Sequence, residues 1–144
     1  MALLNYSTSI KAEKTVGEIQ KMLAMAGAQA VLSEYDNEGV VSSMSFRINT
    51  QHGVVFFKMP ARTDGVLRRL ISENKVPRRL KTKEQAANVA WRILKDWVEA
   101  QLAIVDTEMA EIAEVFLPYA QDSTGKTVYE KFEAGKLKEL THQP

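Results

Sequence analysis

The sequence predicts an α+β fold, a three-stranded antiparallel meander flanked by helices (αβββα) and followed by a long helix and a short one. Three observations carry this. A helical apolar period comes first, two-residue alternation between glycine-bearing turns follows, and a 3.6-residue period returns over more than twenty residues near the C-terminal third. At 144 residues with 45% hydrophobic and 26% charged residues, the chain has material for one domain and one core, not two.

Residues 1–14 lack periodicity and read as an N-terminal arm or short edge element. Residues 15–74 read as the αβββα unit. Its first helix is expected to open at Thr15, because Thr15-Val-Gly-Glu18 has capping-box spacing, and Val16, Ile19, Leu23 and Ala26 then recur on one face before Gly27. Gln29–Tyr35 reads as a strand and Asp36-Asn-Glu-Gly39 as a turn. In Val40–Asn49, alternation puts Val40, Ser42, Met44, Phe46 and Ile48 on one face and Val41, Ser43, Ser45, Arg47 and Asn49 on the other. Asn49-Thr-Gln-His-Gly53 reads as the second turn and Val54–Met59 as the third strand.

After Pro60 a helix of about ten residues should turn Val66, Leu67, Leu70 and Ile71 inward. Asn74–Lys81 follows as a basic loop containing Pro77. Residues 82–117 read as a helical hairpin. Thr82-Lys-Glu-Gln85 is a second capping-box pattern, opening a helix over roughly Lys83–Val105. That helix carries two apolar stripes, one through Ala86, Val89, Ala90, Ile93, Trp97, Ala100 and Ile104, the other through Trp91, Leu94, Val98, Leu102 and Val105. Two stripes imply contacts on two sides, within the domain or between subunits of a homo-oligomer. Asp106 or Thr107 is expected to cap a last helix bearing Met109, Ile112, Ala113 and Phe116. Residues 118–144 read as a hairpin or ordered tail.

Charge is uneven although the net value is only +1. Lys58 to Lys95 holds eleven basic residues against Asp64, Glu73 and Glu84, whereas Asp96 to Asp122 holds seven acids and no Lys or Arg. Either one face concentrates positive potential, or the two helical segments attract each other within the fold. The densest cations surround Pro77: Lys75, Arg78, Arg79, Lys81 and Lys83. Phosphate binding needs such cations, because each neutralised phosphate releases counterions. The candidate phosphate contacts are therefore Arg68, Arg69, Arg78, Arg79, Lys81 and Lys83, with Arg92 and Lys95 beneath. Tyr35, Phe46, Phe56 and Phe57 could stack on bases if one sheet face stays open, with core packing the commoner role for such residues. Trp91 and Trp97 read first as core anchors.

Other chemistry finds little support. No cysteine is present, which removes disulfides, thiolate ligands and a thiol nucleophile and suits a reducing compartment. Asp122-Ser-Thr-Gly-Lys-Thr127 resembles the end of a phosphate-binding P-loop, but Ala120 stands where the earlier glycine belongs, so a turn is expected. His52 and His142 lack partners at metal-ligand spacing, and Ser42, Ser43 and Ser45 lack a nucleophile-elbow pattern. Glu108, Glu111 and Glu114 have a spacing common on solvated helices. No catalytic residue, metal site or cofactor is expected. The first ten residues lack a basic n-region and no apolar run approaches the roughly twenty residues of a membrane span, so a soluble, cytoplasmic protein is expected.

Thr15–Ala28, Glu84–Ala103 and Phe116-Leu-Pro-Tyr119 resemble segments of small hypothetical proteins of phages and prophage regions. That resemblance implies a phage setting and attaches no activity. The element order is similar to the core of single-strand-annealing recombinases, which hold DNA in a basic groove; no site residue is carried over. The resulting expectation is a non-enzymatic, homo-oligomeric binder of nucleic acid, most simply single-stranded DNA. The alternative is an anti-defence protein that sequesters a small cyclic nucleotide or blocks a host immune protein.

Overall fold

The computed structural model describes residues 2–144. Its elements are α1 (Ala12–Met25), β1 (Ala28–Tyr35), β2 (Val41–Thr50), β3 (Gly53–Pro60), α2 (Asp64–Ser72), α3 (Lys83–Asp106), α4 (Ile112–Val115) and α5 (Val128–Glu133), with short 3-10 turns between them. The three strands form one antiparallel sheet in the order β1-β2-β3. The expected α+β class and αβββα order are present, with α3 following.

The core lies between the inner face of the sheet and the pair α1 and α3. Ile19 and Leu23 of α1, Met44, Phe46 and Ile48 of β2, Phe57 and Met59 of β3, and Trp91 and Val98 of α3 are all buried in it. Phe46 and Phe57 stack with ring centroids 5.1 Å apart, and Phe116 meets both edge-on. Trp91 is buried completely and donates from Nε1 to the Val41 carbonyl at 3.1 Å, so its one polar atom is satisfied. A second cluster, Leu70, Val76 and Ala86, joins α2 and its following loop to the start of α3, with Leu3 and Tyr6 of the N-terminal arm against it.

Several local expectations change. α1 starts at Ala12, one turn before Thr15, because Asn88 of α3 supplies the cap from outside: the Ala12 N–H donates to Asn88 Oδ1 at 2.8 Å. Thr15 is then an interior helix residue, fully buried. The Thr82 hydroxyl does accept from the Gln85 N–H, but Gln85 does not reach back. Its Nε2 instead donates to the Tyr6 and Thr8 carbonyls, fastening the arm to α3. In β2 the register slips opposite Glu34 and Tyr35, which reverses the alternation and buries Val41 where Val40 was expected. Ile71 points outward, 55% exposed. The expected hairpin partner of α3 shrinks to α4, a single turn capped by Glu111 and Glu114, and Met109 lies outside it in solvent. The C-terminal stretch forms a tight turn and then α5, for which Thr127 and Glu130 make a complete capping box.

Candidate nucleic-acid interface

The basic loop is an ordered cap joining α2 to α3. Val76 anchors it by inserting between Leu70 and Ala86, and its N–H donates to the Glu73 carbonyl. After Pro77, residues Arg78–Leu80 make a 3-10 turn whose bonds run from the Leu80 N–H to the Pro77 carbonyl and from the Lys81 N–H to the Arg78 carbonyl. Lys81 Nζ donates to the Ile71 carbonyl at 3.2 Å, closing the loop onto the C-terminal end of α2, where cations are favoured. Arg78 and Arg79 thus extend into solvent from a short, doubly fastened turn.

Ion pairing sorts the cations into two sets. Arg69 pairs with Glu73, whose carboxyl is held below its usual range chiefly by that hydrogen bond. Lys83 faces Glu38 at 3.6 Å. Arg68, Arg78 and Arg79, with Arg62 and Lys75 near them in sequence, have no carboxylate within 4.0 Å among the described residues. Six expected phosphate contacts, from Arg68 to Lys83, therefore belong to the α2–α3 cap, four of them without a carboxylate partner.

Arg92 and Lys95 do not join them. Roughly 14 Å of helix separates Lys83 from Arg92 at 1.5 Å per residue. The Arg92 guanidinium, with 16% of its side chain exposed, meets Glu18 at 2.9 Å and Thr15 Oγ1 at 3.4 Å, clamping α1 to α3. Lys95 pairs with Glu99 at 3.1 Å and is only 17% exposed. Both serve the fold. Nor do the basic and acidic segments neutralise each other, since Lys95–Glu99 is the one ion pair that joins them among the described residues.

The remaining polar groups have structural duties. Asp122 Oδ1 accepts from the Thr124 and Lys126 N–H groups and from the Thr124 hydroxyl. The amides of the P-loop-like turn thus converge on the chain's own carboxylate, where a P-loop would hold phosphate. Glu111 accepts from Gln51 Nε2 at 2.7 Å and lies 3.1 Å from His52 Nε2, so it ties the β2–β3 turn to α4. Ser43 Oγ donates to Glu34. Among the described residues no group of three His, Asp or Glu side chains is placed to hold a metal ion, and no helix is long and apolar enough to cross a membrane.

The aromatic residues divide by strand parity, a distinction that composition alone misses. Phe46 and Phe57 enter the core, while Tyr35 and Phe56 stay exposed. Comparison of the chain with protein-family models, curated proteins and solved structures finds no match.

Proposed function

We propose that this chain is a non-enzymatic binding protein for single-stranded nucleic acid, with the α2–α3 cap engaging the phosphate backbone. The observation that carries the reading is the Arg78–Arg79 turn, fastened at Val76 and Lys81 yet left without carboxylate partners. A fixed backbone with unneutralised guanidinium groups suits phosphate, which arginine can grip with two parallel hydrogen bonds. Arg68 on α2 and Lys81 at the loop's end likewise have no carboxylate partner among the described residues. The non-enzymatic part rests on how Ser43, His52, Glu111 and Asp122 are used: each bonds to a partner within the fold, across strands or within turns.

Fluorescence anisotropy with a labelled oligo-deoxythymidine tests the proposal. Binding at low salt is expected, weakened at least about tenfold in Arg78→Ala/Arg79→Ala, a loss of about 1.4 kcal/mol. Absence of binding, or a double variant that binds as well as the parent, removes the proposal.

A further inference from the structure

The outer face of the sheet is not covered by a helix, and strand alternation decides what it shows. β3 places Val54, Phe56, Lys58 and Pro60 there, opposite the buried Phe57 and Met59. In the register Arg47 stands beside Phe56, and Ser45 stands between Leu32 and Lys58. Phe56 is 52% exposed and Leu32 60%, so apolar surface is presented to water, a common mark of a contact site. Arg47 lies within this surface without a carboxylate partner among the described residues, its Nε shut off from solvent and lacking an acceptor. A positive charge held by packing over an apolar patch attracts an anion.

The surface continues past Lys58, which pairs with Glu34 at 3.4 Å, and past Pro60 into a cleft of about 270 Å³ that reaches Arg62 and is walled by Tyr119, Tyr129, Glu130 and Glu133. Trp97 braces Tyr119 edge-on at 5.7 Å. Segment 120–121 bridges the β3 edge, the Gln121 N–H donating to the Phe56 carbonyl at 2.7 Å, and so fixes the cleft against the sheet. Exposed rings therefore run from Phe56 to Tyr129, with Arg47 toward one end and Arg62 toward the other, neither within 4.0 Å of a carboxylate among the described residues.

We infer that this track is a base-binding platform: unstacked bases lie on Phe56 and between Tyr119 and Tyr129, and Arg47 and Arg62 meet the phosphates on either side of them. The inference rests on the nucleic-acid reading above and adds a second surface to it. The two guanidinium groups without carboxylate partners favour an anionic ligand over an apolar protein partner. Exposed rings favour a single strand, because a duplex keeps its base faces stacked inside.

The test compares a labelled oligo-deoxythymidine with an abasic oligomer of equal length and charge, using the full chain. The parent is expected to prefer the base-bearing strand about tenfold or more, the scale of one stacked base. Phe56→Ala and Tyr129→Ala should each reduce that preference while leaving the abasic strand bound as before, and Phe56→Trp should keep it and show quenching on binding. Phe56 is half exposed, so circular dichroism should show these variants folded. Equal affinity for both strands, or a preference that survives Phe56→Ala, overturns the platform and leaves the phosphate reading of the cap standing. Failure to bind either strand overturns both. A homodimer that Phe56→Ala dissociates in light scattering overturns the platform as well, by assigning the face to a second copy.

Discussion

Arg79 and Arg92 carry the same charge and look alike in a composition count, yet only one faces solvent without a partner. Arg92 finds Glu18, which is 74 positions away in sequence. Nothing in the local pattern around either residue announces that pair, because it depends on how α1 lies along α3. Cation number was therefore legible from the sequence, and cation availability was not. Since Arg92 is mostly buried and Glu18 only partly so, Arg92→Ala is expected to cost about 1–2 kcal/mol of stability in urea unfolding. Its oligonucleotide affinity should match the parent's. A stable variant that binds poorly would instead place Arg92 in the interface. Phe56 and Phe57 were read together as possible stacking residues, and the structure separates them by strand parity, burying Phe57 and leaving Phe56 52% exposed.

Elements followed the sequence closely where periodicity was long, as in α3, which spans Lys83–Asp106 against an expected Lys83–Val105. Ends were less legible. Of three threonines with capping-box spacing, Thr127 closes both bonds, Thr82 closes one, and Thr15 closes neither. A local box loses to a tertiary acceptor such as Asn88, and no sequence window contains that acceptor.

The basic cap and the turn before α5 each depend on a few side chains that fix the end of an element. Val76→Ala removes the plug that fixes the basic cap and should cost about 2 kcal/mol while weakening oligonucleotide binding. Unchanged affinity in that variant would mean the cap needs no fixed shape.

In the turn before α5, Thr124 and Lys131 hold the Asp122 carboxyl well below the usual carboxylate range, and the Thr127 N–H holds Glu130 low. Both folded values lie below the unfolded ones, so the stability they confer is complete above about pH 5 and is lost as pH falls toward and through the folded values. Hydrogen exchange at the Gln121 N–H should accordingly show protection falling in acid. Asp122→Asn should show reduced protection already at neutral pH. Protection indifferent to both changes would contradict this account of the turn.

Across the whole molecule, the two apolar stripes of α3 motivated a homo-oligomer, and part of each meets partners inside one chain, while Ala100 of the first stripe is exposed. Trp91 and Val98 join the sheet-side core, and Ala86 joins Leu70 and Val76. Light scattering on the free protein is expected to give a mass near 16.2 kDa, and a stable multiple would point to the uncovered end of the first stripe or to another exposed face. The charge asymmetry read from the sequence persists in three dimensions, because the cap's cations and the acids of 96–122 are not paired together among the described residues.

The most direct measurement of that asymmetry's role is the salt dependence of oligonucleotide binding. If about five cap cations meet phosphates, log affinity against log salt should fall with a slope near −3.5, at about 0.7 per phosphate for a single strand. Arg78→Ala/Arg79→Ala should make it shallower by about 1.4. A parent slope near zero, or one that the double substitution leaves unchanged, would contradict the claim that this cap binds a phosphate backbone.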